Sequence, residues 1–492
     1  MMNVFRTKPI TAQPHVDAGE PVEGSLEGEV TFKRALTAGH LVMLGIGAVI
    51  GAGIFVMTGQ AAAEHAGPAI VLSFVFAGIA CALAGLCYAE FAAMLPVSGS
   101  AYSYAYATLG EFVAWFIGWN LVLEYMFAGS TVAVGWSGYL TGLLDSLSHM
   151  TGLSLSIPVA LTSAPLNVVS GHLVETGAII NLPAVAIVLA ISWLCYRGIT
   201  QSATVNAVIV ALKVVVILLF LAFGLKYVNP HNWVPFIPPA EGPGKFGWDG
   251  VVRGASIVFF AYIGFDAVST AAQEAKNPQR DMPIGILGSL VICTVLYIAV
   301  SAELTGLMPY RLLGTAKPVA TALEAYPSLV WLKTLVEIGA IAGLSSVILV
   351  MLMGQPRIFY TMARDGMIPK LFARVHPRYQ TPHLATFIVG AAAATLGGLL
   401  PINVLGDLVS MGTLLAFATV CIGVLVLRHT RPDLPRPFRV PFVWVVSIGG
   451  AATCLWLFWH VFVDNWQWMS AWIGIGVLIY SGYGYRHSAL SR

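Results

Sequence analysis

The sequence predicts an all-α membrane protein of twelve transmembrane helices, the first and sixth of them discontinuous. Hydrophobic residues make up 58% of the chain, charged residues only 10%, and the mean hydropathy is +0.81, whereas a soluble domain carries about 25% charged residues. Apolar segments of spanning length recur at 38–62, 68–95, 111–140, 178–196, 203–228, 248–274, 284–308, 329–360, 383–400, 402–427, 440–462 and 467–485. Two of these segments are interrupted, and the interruptions lie five spans apart.

The first interruption is Gly45-Ile46-Gly47-Ala48-Val49-Ile50-Gly51-Ala52-Gly53-Ile54-Phe55, which holds four glycines where a helix favours none. Unwound backbone at membrane depth is tolerable only where protein buries it or a wet cavity meets it, because lipid cannot bond the freed N–H and C=O groups. A helix-packing GxxxG pair would explain Gly47 and Gly51 but not Gly45 and Gly53. No strand precedes these glycines, so a dinucleotide fingerprint does not apply. The second interruption is Phe259-Phe260-Ala261-Tyr262-Ile263-Gly264-Phe265-Asp266-Ala267. Paired breaks in an inverted five-plus-five repeat are how many secondary transporters build a midplane site.

Between the second and third spans, Pro96 to Tyr106 is too polar to cross and rich in tyrosine, which predicts an interfacial segment. The longest external stretch is 141–177. With the N-terminus inside, eighteen Lys and Arg residues fall on the inner side and six on the outer, namely Lys226, Lys245, Arg253, Arg311, Lys317 and Lys333. That asymmetry predicts both termini in the cytoplasm. The acidic first thirty residues predict a cytoplasmic tail and no secretory signal. The six cysteines form no CxxC pair and read as small buried hydrophobes. The absence of a basic stripe on a soluble face argues against nucleic acid.

A half-helix starting after Gly51 offers free N–H groups and the positive dipole end to a carboxylate. The carbonyls from Phe260 to Ile263, at the end of the other half-helix, suit an ammonium. Together they suit the backbone of an α-amino acid. The candidate substrate-binding residues are Ile50, Gly51, Ala52, Gly53, Glu124, Phe260, Ala261, Ile263, Phe265 and Asp266.

Lys213 lies about ten residues from either end of its span, where a cation costs at least ~2.5–3.5 kcal/mol on insertion scales. Such a residue faces the interior and serves function, and one that gains and loses a proton there can couple transport to a gradient. Glu124, mid-span, reads as a contact for a cationic side chain or a tethered ion pair. Asp266 divides between a brace for unwound backbone and a substrate or proton contact. Glu337 reads as an i,i+4 surface pair with Lys333, and Glu90 and Glu303 as span-end carboxylates that reach interfacial water. No HExxH, GxSxG or metal-spaced His/Cys set is present, so neither an enzyme nor a cofactor is expected.

These two runs, with Pro96 to Tyr102, Asn277-Pro278-Gln279-Arg280-Asp281-Met282-Pro283 and Arg364-Asp365-Gly366-Met367-Ile368-Pro369, resemble the amino acid–polyamine–organocation (APC) permeases. They look most like the cationic amino acid transporter branch and its bacterial relatives, over nearly the whole chain. The resemblance implies a tail at 1–37, a first repeat at 38–228, a second at 229–428, and two further helices with a short cytoplasmic C-terminus at 429–492. It implies transport driven by protons or exchange rather than ATP, in agreement with the lack of a GxxxxGK[ST] loop. The fifth-span lysine is assigned proton coupling in the family, close to the first break and the eighth span, which makes Lys213, Ser345 and Ser346 the candidate coupling residues. Relatives often carry a hydroxyl residue where this chain has Ala52, which leaves the substrate carboxylate to backbone N–H groups.

The expected activity is proton-coupled uptake of L-amino acids across a cytoplasmic inner membrane, cationic (arginine or lysine) or of broad specificity. Transport of small neutral amino acids such as alanine, or exchange, is the alternative. A channel is disfavoured because the intramembrane charges are scattered singly, and a membrane-embedded sensor or enzyme because no catalytic cluster is present. The expected partners are the amino acid, the proton and membrane lipid, with a small accessory membrane subunit as a further candidate.

Overall fold

The computed structural model describes residues 6–8, 36–95, 100–169, 172–198, 203–379 and 381–489. Helix α1 (Ala38–Val49) stops inside its own apolar run, at Ile50, whose backbone is extended (φ −72°, ψ 97°). The chain re-enters helix through a π-turn at Gly53–Met57, α2 (Thr58–Ala61) and a second π-turn at Ala62–Ala66. Gly67, at φ 59°, and Pro68 then turn it into α3 (Ile70–Met94). After the short α4 (Ser100–Thr108), helices α5 (Glu111–Val122) and α6 (Ala128–Thr151) run on through a π-turn at Leu123–Phe127. An antiparallel hairpin, β1 (Leu166–Val169) and β2 (His172–Glu175), pairs Leu166 with Glu175 inside the stretch read as external.

Helices α7 (Leu182–Tyr196) and α8 (Ala203–Gly224) precede the second break. There α9 (Gly247–Val258) tightens into a 3₁₀ turn at Phe259–Tyr262 and ends at Ile263, and α10 (Ala267–Thr270) resumes. The remaining helices are α11 (Pro278–Leu307), α12 (Pro318–Glu324), α13 (Val330–Arg364), α14 (His383–Leu399), α15 (Ile402–Thr430), α16 (Val443–Ile479) and α17 (Tyr485–His487). Among the described residues, eight helical stretches are long and apolar enough to cross a membrane. Two of them, Ala38–Met94 and Val443–His487, run to 57 and 45 residues, whereas one crossing needs about 20.

Without a hydrophobic drive between helices in lipid, close packing relies on small residues. On α1, a Cβ at Gly45 would lie 2.4 Å from Ser289 Oγ of α11, and one at Gly47 2.8 Å from Val210 of α8. The upstream glycines of the first break are therefore packing residues within an intact helix, and the unwinding is confined to Ile50 and Gly51.

Tyr102, Tyr104 and Tyr106 on α4 are buried, because α4 packs against α5 and α15 and Tyr102 Oη donates to Asp365 Oδ2 at 2.9 Å; residues 96–99 of that segment lie outside the described residues. Two expectations are corrected. Glu90 is buried, not solvated, since Arg428 donates to it at 3.0 Å and the Val440 amide at 2.7 Å. Glu337 is buried too, accepting from Ser146 Oγ at 2.9 Å with Lys333 farther off at 3.9 Å. All six cysteines are buried and free. Of the predicted tail, Lys8 docks on Asp365 at 2.8 Å, and most of the rest lies outside the described residues.

Candidate functional site

The two breaks cross in contact. A Cβ at Gly53 would fall 2.2 Å from Ala261 Cα, and Gly264, held at φ +114°, lies so close to the first break that a Cβ would meet Ala48 O at 2.8 Å. Only glycine permits either approach, since each bulkier residue would push one broken helix off the other.

Helix ends leave four carbonyls or four amides without intrahelical partners. At the end of α1, Lys213 Nζ donates to Gly47 O at 2.7 Å and to Ile50 O at 2.9 Å. The lysine stem lies along Gly343 of α13, where a Cβ would meet Lys213 Cε at 2.9 Å. Tyr297 Oη of α11 sits 2.8 Å from Val49 O and 2.9 Å from Ala261 O. A hydroxyl has one proton to donate, so the carbonyl ends of both broken helices share it. On the amide side, the first backbone bond after the break runs from Phe55 N to Gly51 O at 3.3 Å. The amides from Gly51 to Ile54 thus head the second half-helix. Hydroxyls serve the π-turn carbonyls that follow: Thr58 donates to Gly53 O and Tyr139 to Phe55 O.

Beneath the second break, Asp266 Oδ2 accepts from Tyr125 Oη at 3.0 Å and Ser100 Oγ at 3.4 Å. Glu124, on the π-turn before α6, lies beside Asp266 with both its oxygens unpartnered. Ile50, Ala52, Glu124, Phe260, Ala261, Ile263, Phe265 and Asp266 are all buried, so none of them is open to solvent.

A sequence model of the family described as "Amino acid permease" matches residues 40–479. The chain belongs to that family, within the APC superfamily. The permease is 46% identical over 492 residues to the methylthioribose transporter of Bacillus subtilis, covering 100% of both chains. It is 45% identical to the branched-chain amino acid permease BcaP of the same organism, over 100% of this chain and 99% of that one. The vacuolar cationic amino acid transporter 2 of Arabidopsis thaliana is 40% identical over 85% of this chain and 64% of its own length. The family and these relatives are transporters, and the permease is accordingly a transporter and not an enzyme.

Against that background the sequence-derived residues divide. Ile50, Gly51, Gly53, Ala261 and Ile263 form the crossing itself, with Gly51 facing Val347 of α13. Ala52 turns toward Gly135 of α6, and Phe260 closes the 3₁₀ turn as acceptor of the Ile263 amide at 3.2 Å. Phe265 points away into an aromatic cluster with Phe417 and Tyr88, centroids 4.9 and 5.7 Å distant. The hydroxyls of Ser345 and Ser346 do not meet Lys213. Ser345 donates to Ile341 O and accepts from Trp136, and Ser346 donates to Gly343 O, as hydroxyls on membrane helices commonly bond back to their own turn. Tyr297 and Tyr125 join the site without a motif to mark them. The signal each carries in the sequence is a phenol at mid-span, whose polar tip needs a buried partner.

Proposed function

We propose that the permease is a proton-coupled secondary transporter that takes up L-amino acids with apolar side chains at the crossing of the two breaks, with Lys213 as the coupling group. One observation carries the reading. Lys213 Nζ is buried and bonds two carbonyls of the first break, and no carboxylate pairs with it among the described residues. The charged ammonium holds the negative end of α1 in place. Loss of its proton weakens that hold and frees α1 to shift against α8 and α13, so proton release and helix movement are one event.

The choice of an apolar side chain is supported by Ile50, Ile54, Phe260 and Ile263 around the crossing, and by the 45% identity to a relative named for branched-chain amino acids. Cationic side chains remain the second reading, favoured by the unpartnered oxygens of Glu124 beside Asp266. Twelve crossings in an inverted repeat, with both termini cytoplasmic, fit the 57- and 45-residue stretches if each crosses twice. The turn at Gly67 and Pro68 and the kink at Asn465 (φ −122°, ψ 20°) are where they would reverse or break.

The test is uptake of labelled L-isoleucine and L-arginine into proteoliposomes with and without an inward proton gradient. Gradient-stimulated isoleucine flux is expected. Flux that needs counter-substrate inside and ignores the gradient would make the permease an exchanger.

A further inference from the structure

Lys213 is sealed from water, so a proton needs a route to it. On α8, Val216, Ile217, Phe220 and Gly224 follow Lys213 along one helical face, and Gly224 lies roughly 16 Å along the axis from it. At Gly224, α11 presents Glu303, which is 5% exposed with Oε1 unpartnered. A Cβ at Gly224 would meet this same Oε1 before any other atom, so glycine here is what admits the carboxyl against the α8 backbone. Between the two groups lies a cavity lined by Val216, Ile217 and Phe220 of α8, Val300 of α11, and Phe55 of the first break, among other apolar residues. Every residue that lines it is apolar, the chemistry that keeps such a cavity dry at rest. No charged group acts on Glu303 from any packed element among the described residues, and the titratable group acting on Lys213 is Cys293 of α11. An ion pair therefore does not explain why a carboxyl is buried here.

We propose that Glu303 is the proton relay that serves Lys213, with the apolar cavity between them as the gate. The inference rests on Lys213 being the coupling group. The Glu303 carboxylate takes a proton from water on its side of the membrane. When the gate opens and a file of waters fills the stretch between them, the carboxylic O–H is given up to the first water while the last passes one of its own protons to the neutral Lys213 amine. Glu303 is left as carboxylate, the waters are restored and Lys213 becomes ammonium. Val300 lies one turn before Glu303 on α11, so its bulk controls the gate.

The experiment compares the wild type, Glu303→Gln and Val300→Leu in proteoliposomes, by gradient-driven accumulation of labelled L-isoleucine and by isoleucine–isoleucine counterflow without a gradient. Glutamine keeps the size of Glu303 and removes its titration, and the added methylene of leucine fills the cavity. Both variants are expected to lose about tenfold or more of the driven accumulation and to keep wild-type counterflow. A driven rate equal to wild type in Glu303→Gln overturns the relay and leaves the Lys213 reading standing. Loss of counterflow together with driven uptake in both variants also overturns it, as a structural role. A wild type that ignores the gradient overturns both readings.

Discussion

Lys213 Nζ lies 2.9 Å from the carbonyl oxygen of Ile50, a residue 163 positions earlier in the chain, at the point where α1 stops. The bond joins the two features that make the centre of this protein unusual, a helix that breaks at membrane depth and a cation with no carboxylate partner among the described residues. Each accounts for the other. Unwound carbonyls need donors that lipid cannot supply, and a buried ammonium needs acceptors. The consequences can be measured separately.

Tyr297→Phe removes one hydroxyl and leaves the carbonyls of Val49 and Ala261 without their shared donor. Side-chain hydrogen bonds in membrane proteins average about 0.6 kcal/mol and reach ~1.7, so the variant should fold. The expected effect is a modest drop in detergent melting temperature with a larger loss of uptake rate, because the bond ties together the two elements that must move. Equal small losses in both would make Tyr297 a packing residue only.

Gly53→Ala forces a Cβ onto Ala261, and transport is expected to be abolished. Gly474→Ala on α16, where a Cβ meets nothing within 4 Å, should leave uptake unchanged and gain up to ~1 kcal/mol of helix stability. Uptake assays on the pair, with expression and melting as controls, separate close approach at the crossing from general intolerance of glycine replacement.

Arg253 on α9 binds Asp407 of α15 at 2.8 Å and Asp464 of α16 at 2.9 Å, and Asn465 at the α16 kink donates to the same Asp407 at 2.7 Å. Arg253→Met strands a buried carboxylate, and removing one partner of such a pair costs about 3–5 kcal/mol. A large fall in melting temperature is expected, partly recovered in the double variant Arg253→Met, Asp407→Leu. No recovery would mean that the charges do more than satisfy one another.

Glu124→Gln separates the two substrate readings. If the pocket serves apolar side chains, L-isoleucine uptake persists in the variant. Any L-arginine uptake should fall at least about tenfold, the effect of ~1.4 kcal/mol. Competition of labelled isoleucine by unlabelled arginine in wild type and variant provides the readout.

Much of this arrangement is legible in the sequence, for identifiable reasons. Glycines and an aspartate within apolar runs violate helix and membrane preferences so strongly that both breaks, and Lys213 between them, stand out from composition alone. The family follows from the same runs. What is not legible is which neighbour each polar group finds. Ser345 and Ser346 look suited to Lys213 by span number, but rotation about α13 turns Ser345 to Trp136 and leaves Gly343 beside the lysine. Phe265 sits in the break by position yet packs outward on Phe417. Tyr297 escapes notice because tyrosine is ordinary in membrane helices, and only its two carbonyl partners from distant segments give it a role. Glu90 and Glu337 look solvated because the sequence places them near span ends, while Arg428 and Ser146 reach them from helices hundreds of residues away.

The most direct measurement is accumulation of labelled L-isoleucine by proteoliposomes holding wild type or Lys213→Met, at equal external pH, with and without an inward proton gradient. Wild type is expected to accumulate label only with the gradient. Lys213→Met should keep counterflow and lose all response to the gradient. If Lys213→Met still concentrates isoleucine under the gradient as the wild type does, Lys213 is a structural cap for α1 and the proton binds elsewhere.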